Sequence, residues 1–268
     1  MSTTLVEVTL VDVNPKMIAA WRATFAAHPE VKVLAGSILD QAVSAWVTPT
    51  NSKGFMDGGL DGVLKRHFGP PIEKAVQAQI KAHHKGAMPI GHATCVETGS
   101  KSPRYLISTP TMSFSSEDVS DTLNVALACS AALQAVHMQN ARVPGSITSV
   151  ALPGLGANTG RVPVEICSDL MWTAYDLFRK HAFSDFNEMR AALEEELGDL
   201  GSTAGKTSAA VGAAAGVGAG AGAVASKPAT SQAKAATQDF DDHDGDDDDD
   251  DDDDEHDKDD EHEDFDDH

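Results

Sequence analysis

Three cysteines, two tyrosines and an aromatic content of 5 % are what this 268-residue chain has little of, and each scarcity excludes something. Cys95, Cys129 and Cys167 stand singly among apolar neighbours with no CxxC pair. They read as buried free thiols rather than zinc ligands or a disulfide framework, which implies a reducing, intracellular setting, cytoplasmic or nuclear. No run approaches the roughly 18 apolar residues of a membrane-spanning helix, so no membrane partner is expected. The opening MSTTLVEVTLVDVNP carries acids and no basic n-region, unlike a signal peptide. A basic excess is missing too, since 20 Lys and Arg face 42 Asp and Glu. Binding along a nucleic-acid backbone therefore has little support.

The acidity is not spread evenly. Of the net charge of −22, the segment Asp239–His268 carries −21, from 22 Asp or Glu against Lys258 alone, and the other 238 residues sum to −1. Residues 239–268 therefore read as a self-repelling disordered tail, a solvated polyanion able to touch basic proteins. His243, His256, His262 and His268 offer at most loose cation binding there. Before the tail, residues 201–238 shrink to Ala, Gly, Ser, Thr and Lys, with too little apolar bulk to offset ordering entropy, and read as a flexible linker. Residues 183–200 form an amphipathic C-terminal helix through Phe186, Met189, Leu193 and Leu197. What remains, residues 1–182, is one domain.

Within that domain strands and helices alternate. Leu5–Val13 reads as a strand, Lys16–Ala27 as a helix with Met17, Ile18, Trp21 and Phe25 at helical spacing, and Val31–Leu34 as a second strand. LVDVNPKMI resembles part of a nucleotide-binding βα unit, but no glycine-rich turn accompanies it, and Asp12 reads as a strand-end cap. Later come a helix over Ile72–Lys85, strands at His92–Val96 and Tyr105–Thr109 about a turn at Gly99-Ser100, and a long helix over Thr122–Gln139. A strand at Ser146–Leu152 and a helix over Val164–His181 close the order. This is an α/β layered pattern. His67, His83, His84 and His92 have no metal-ligand partners at useful spacing.

Two loops stand out. The first lies in VTPTNSKGFMDGGLDGVLKRHFG, residues 47–69, where a strand end runs through Asn51 into Gly54, Gly58, Gly59 and Gly62. A helix then begins near Leu60 with Val63, Leu64 and Phe68 on one face. Glycines let a backbone approach phosphate oxygens, and a helix start offers free N–H groups and a positive dipole end. The acids Asp57 and Asp61 repel phosphate, so they suit a sugar hydroxyl or a water. A plain turn with helix caps accounts for the same spacing. The second loop, LPGLGANTGRVP over residues 152–163, again sets glycines between a strand and a helix start.

Together these loops resemble the signature of the macro domain, the ADP-ribose-binding module. Asn51 and the run Gly58-Gly59-Leu60-Asp61-Gly62 match its first motif, with Met56 and Asp57 where many members have glycine. Pro153, Leu155, Gly156 and Pro163 match its phosphate-gripping loop, with Ala157 and Asn158 where Thr and Gly are common. Gly36-Ser37-Ile38-Leu39 stands where many members have Gly-Asp-Ile-Thr, and so lacks the Asp that reads adenine. Asp12 and Asp40 are the candidates to replace it. The resemblance implies a three-layer α/β/α macro-domain-like fold with a mixed central sheet, and binding of ADP-ribose or ADP-ribosylated protein. It implies hydrolysis of an ADP-ribosyl or O-acetyl-ADP-ribose ester by Asn51 and Asp61. Ser37, Ile38, Gly58, Gly59, Leu60, Gly154, Leu155, Gly156, Ala157, Asn158, Thr159 and Gly160 are the implied ligand contacts, with no cofactor and no metal. A non-catalytic reader of ADP-ribosylated proteins and a protein working through its acidic tail are the alternatives.

Overall fold

A computed structural model of the chain describes residues 6–198. The linker and tail expected at 201–238 and 239–268 lie outside the described residues. Six strands, β1 (Glu7–Asp12), β2 (Lys32–Ala35), β3 (Ala45–Asn51), β4 (Thr94–Glu97), β5 (Tyr105–Met112) and β6 (Ser149–Leu152), form one sheet in the order β2-β1-β6-β3-β5-β4. All neighbours pair parallel except β4 and β5, which are antiparallel across the Gly99-Ser100 turn, so the sheet is mixed.

Strand alternation sends successive side chains to opposite faces. Val8, Leu10, Val47, Ile107 and Val150 join one core with α1 (Pro15–Thr24), α4 (Asn124–Arg142) and α5 (Val164–Lys180). Val11, Trp46, Leu106 and Ala151 join a second with α2 (Gly59–Phe68) and α3 (Pro71–His84), through Leu64, Ile72, Val76 and Ile80. The fold is thus three layers, α/β/α, as the alternation of elements implies. Trp21 and Trp46, at 0 % and 1 % exposure, anchor the two cores. Burial of a large apolar side chain is worth about 1.5–3 kcal/mol.

Helix starts follow local chemistry. Asn14 caps α1 by accepting the Lys16 N–H at 3.0 Å, with Pro15 in the first turn. α2 has Gly58 at its cap and no side-chain hydrogen bond there, so its first N–H groups stay free. β5 runs three residues past the expected end, buried throughout, and α4 starts two residues late behind a turn closed by Thr122 N–H donating to Val119 O. His92 falls outside β4 and packs between His84 and Phe186, at ring separations of 5.2 and 5.1 Å. Residues 186–198 are helical and bury Met189 and Leu193 in the α4–α5 core.

The topology also decides where a ligand can enter. From β1 the chain passes to β2 on one side, then crosses to β3 beyond β6 on the other. At such a reversal the loops leaving the strand ends diverge and open a crevice at the C-terminal edge of a parallel sheet.

Candidate functional site

A cleft with a volume of about 460 Å³ occupies that edge. Its floor is the ends of β3 and β5, at Pro49, Thr50, Asn51, Thr111 and Met112. The start of α2, Gly58 to Asp61, forms one wall, and the β6–α5 loop, with Pro153, Gly154, Gly156 and Asn158 to Gly160, forms the other. Val11, Asp12, Val13, Gly36, Ser37 and Ile38, from the ends of β1 and β2, extend it sideways. Five adjacent strand ends at about 4.8 Å spacing give it a span of roughly 20 Å.

Of the residues implied by sequence, Asn51, Asp61, Ser37, Ile38, Gly58, Gly59, Leu60, Gly154, Gly156, Asn158, Thr159 and Gly160 meet in this cleft. Leu155 and Ala157 do not line it. The Leu155 side chain is wholly buried, and Ala157 packs against the same core. The two walls come close, because a β-carbon added at Gly59 would stand 3.5 Å from Thr159 Oγ1.

The walls present backbone rather than cations. Among the described residues lining the cleft none is Lys, Arg or His, whereas Asp12, Asp57 and Asp61 are all present. What the walls offer an anion is backbone N–H. The β6–α5 loop is folded on itself by Val162 N–H donating to Gly156 O and Arg161 N–H to Asn158 O, both at 3.1 Å. Gly160 is packed so tightly that a β-carbon there would lie 2.7 Å from Gly156 O. Among the described residues no backbone or side-chain acceptor takes the N–H groups of residues 156–160. The Gly154 N–H, by contrast, donates to Asp12 Oδ2 at 3.0 Å. Asp12 Oδ1 takes the Asn14 N–H at 2.8 Å, so Asp12 ties the β1–α1 turn to the β6–α5 loop. Asp40 is not among the lining residues, and Ser37 caps the 3₁₀ turn Ile38–Asp40 through the Leu39 N–H.

Asn51 shapes its own loop. Its Oδ1 accepts the N–H groups of Lys53 and Phe55, and its Nδ2 donates to Phe55 O at 2.9 Å and Ser115 Oγ at 3.3 Å. Ser115 in turn donates to Asp57, 3.1 Å from Oδ2 and 3.2 Å from Oδ1, joining the loop after β5 to the glycine loop. Ser115 and Ser116 in the cleft were not legible beforehand. They belong to a polar loop with no motif, reached only through this contact.

Asp61 is the electrostatic centre. It is 6 % exposed, and its Oδ1 accepts the Thr48 hydroxyl at 2.5 Å. Burial pushes its carboxyl up from 3.8 to about 7; the hydroxyls of Thr48 and Thr50 oppose this, and the Asp57 and Glu73 carboxylates add to it. Despite partial burial, which opposes it, Glu73 sits below its ordinary value through Lys65 and the Met56 N–H. Asp61 is thus poised to give or take a proton near neutrality. The thiols are not so poised. Burial pushes Cys95 and Cys167 up to about 12, and Cys129 rises for the same reason. Among the described residues no group of three or more His, Cys, Asp or Glu could hold a metal ion, and no helix is long and apolar enough to cross a membrane.

The family model described as Macro domain matches residues 47–171. An uncharacterized protein of Aquifex aeolicus is 32 % identical over 142 residues, covering 53 % of this chain and 78 % of that one. The solved macrodomain of Mycobacterium tuberculosis DarG is 24 % identical with a TM-score of 0.46, covering 53 % of this chain and 88 % of its own. Thermosipho africanus DarTG, solved in complex with ADP-ribose, is 14 % identical with a TM-score of 0.43, over 63 % of this chain and 50 % of its own.

Proposed function

This chain belongs to the macro domain family, and on that premise we propose that its cleft binds ADP-ribose or an ADP-ribosyl group and hydrolyses an ADP-ribosyl ester. The observation that carries the reading is the facing of Gly59 and Thr159 across one hollow, where the start of α2 lacks a side-chain cap and the N–H groups of residues 156–160 have no acceptor among the described residues. A diphosphate lies between the α2 start and residues 156–160, where N–H donors and a helix dipole offset the missing cations. The terminal ribose lies toward Asn51 and Asp61.

In the hydrolytic step a water held between Asp61 and the diphosphate attacks C1″ of the ester, or the acyl carbon of O-acetyl-ADP-ribose, where the acyl C–O bond to the ribose breaks, acetate is released and the ribose oxygen leaves as a hydroxyl by taking up a proton. In the first case the C1″–O bond breaks, the target carboxylate leaves with the electron pair, and the water's proton passes to Asp61. A side chain half-ionised near pH 7 suits that exchange, and removal of such a group typically lowers the rate by about 10² to 10⁴. Asn51 fixes the loop against which the ribose packs.

One observation favours a second reading, that of a non-catalytic reader of ADP-ribosylated protein. Asp61 is 6 % exposed and already bonded, and Asn51 uses both ends of its amide internally. Calorimetry with ADP-ribose, ADP and AMP tests the shared part, for which tightest binding of ADP-ribose is expected and equal affinity for all three defeats it. Release of ADP-ribose from a mono-ADP-ribosylated protein, lost in Asp61→Ala while binding persists, separates enzyme from reader.

A further inference from the structure

We propose that Thr48 is a positioning residue for Asp61, pinning one carboxyl oxygen against β3 and leaving the other turned to the cleft. The inference rests on the reading that Asp61 meets the ligand. Thr48 is wholly buried and is not a lining residue, whereas Asp61 lines the cleft, so the oxygen that Thr48 holds is the one directed away from it. The spacing explains why the contact forms. Trp46, Thr48 and Thr50 project to the β3 face that α2 and α3 cover, and Asp61 is the third residue of α2, over that same face.

The other groups around Asp61 do not supply this hold. The Thr50 hydroxyl on the same face is buried with no hydrogen-bond partner among the described residues, and Thr50 is 3 % exposed. Asp57 in the preceding loop and Glu73 on α3 are like charges, and Lys65 of α2 is committed to Glu73 at 2.5 Å. Thr48 donates the hydrogen bond whose geometry is formed, at 2.5 Å, whereas the Thr50 hydroxyl opposes the rise of the Asp61 carboxyl from nearby without closing such a bond. A hydroxyl that donates to a carboxylate favours the ionised form, so Thr48 fixes both the aim of Asp61 and the pH at which it gains its charge. That charge shares the cleft with the anionic diphosphate of the proposed ligand, so the pH at which it develops limits the range of tight binding.

Carboxyl ¹³C NMR titration of the ligand-free full-length chain tests this in wild type, Thr48→Val, Thr48→Ser and Thr50→Val. Valine keeps the shape of threonine without the donor. The Asp61 midpoint should rise by about one pH unit in Thr48→Val, the size expected for one hydrogen bond to a charged group. It should return in Thr48→Ser and move less in Thr50→Val. An unmoved midpoint in Thr48→Val, or an equal shift in Thr50→Val, overturns the proposal. ADP-ribose affinity measured from pH 6 to 9 should begin to fall about one unit later in Thr48→Val than in wild type. A fall at the same pH in both overturns it, whereas a uniformly damaged site lowers affinity without moving the limb. The titration needs no ligand, so a failure of ADP-ribose to bind at any pH counts against the binding reading and leaves the Thr48–Asp61 coupling to be judged on its midpoint.

Discussion

Gly59 at the start of α2 and Thr159 in the β6–α5 loop face each other so closely that a β-carbon on the first would touch the hydroxyl of the second at 3.5 Å. They are 100 residues apart in sequence and line opposite walls of the cleft. Gly59 also holds φ at +54°, the left-handed region. A side chain there is strained by about 1–2 kcal/mol and projects toward Thr159, into the gap assigned above to the diphosphate of the proposed ligand. Gly59→Val is expected to weaken ADP-ribose binding at least tenfold, an estimate that combines strain with lost space. Gly58→Ala is the control, because Gly58 has extended backbone and nothing within 4 Å of an added β-carbon. Calorimetry showing equal losses for the two variants would place the ligand elsewhere.

Gly160 gives a different outcome, since it is confined by backbone instead of by open cleft. An added β-carbon would meet Gly156 O and Val119 Cγ2, each at 2.7 Å. Neither has room to withdraw, as Gly156 O accepts the Val162 N–H and the Val119 N–H donates to Gly160 O. Gly160→Ala should therefore cost stability, about 1–3 kcal/mol as for other overpacked sites, and lower the melting temperature by several degrees. ADP-ribose affinity should drop with it. An unchanged melting curve would show that the loop opens more readily than its hydrogen bonds imply.

The layered fold was legible because β3, β5 and the helices carry their periodicity openly, and both loops were legible because their glycines serve backbone geometry. Asn51 and Asp61 came from the resemblance, and both line the cleft. Their partners were not readable. Nothing about Thr48 marks it as a donor to Asp61 until α2 is docked on β3, since the contact depends on packing between two elements and joins residues 13 apart. Nor does sequence tell that Asp12 and not Asp40 reaches the cleft, which follows from the insertion of β6 beside β1. The Leu155 placement shows the converse. A residue inside a matching motif turned to the core because alternate positions of a loop cannot all face one side.

Asp57 stands where glycine is common, and its charge opposes the ligand proposed here. It is exposed, lines the cleft, and is held by the Ser115 hydroxyl. Asp57→Asn keeps an oxygen for Ser115 and removes the charge. Affinity for the doubly charged diphosphate should rise about 3- to 10-fold at low salt, and the gain should shrink as ionic strength shortens the screening length. Calorimetry at 20 mM and 300 mM salt, roughly 20 and 6 Å in screening length, reads this directly. A loss of affinity would instead make Asp57 a ligand contact, an acceptor for a sugar hydroxyl.

Asp61 puts stability and chemistry in opposition. Its carboxyl titrates near 7 in the folded chain against an ordinary 3.8, chiefly because it is buried. Between those values the folded chain keeps a proton that the unfolded chain has released. Stability therefore falls as pH rises from about 3.8 to 7, and the whole cost stands above 7. A shift of about three units corresponds to about 4 kcal/mol, as an order of magnitude. Asp61→Asn cannot ionise, yet its amide oxygen can still accept the Thr48 hydroxyl. The variant should melt several degrees above wild type at pH 8 and close to it near pH 4, while ester turnover falls by about 10² to 10⁴. Melting curves from pH 4 to 8.5 check the first part and ADP-ribose release the second. A melting difference that does not change with pH would mean that Asp61 is not the buried acid that titrates, and the assignment of the proton transfer to it would go with that.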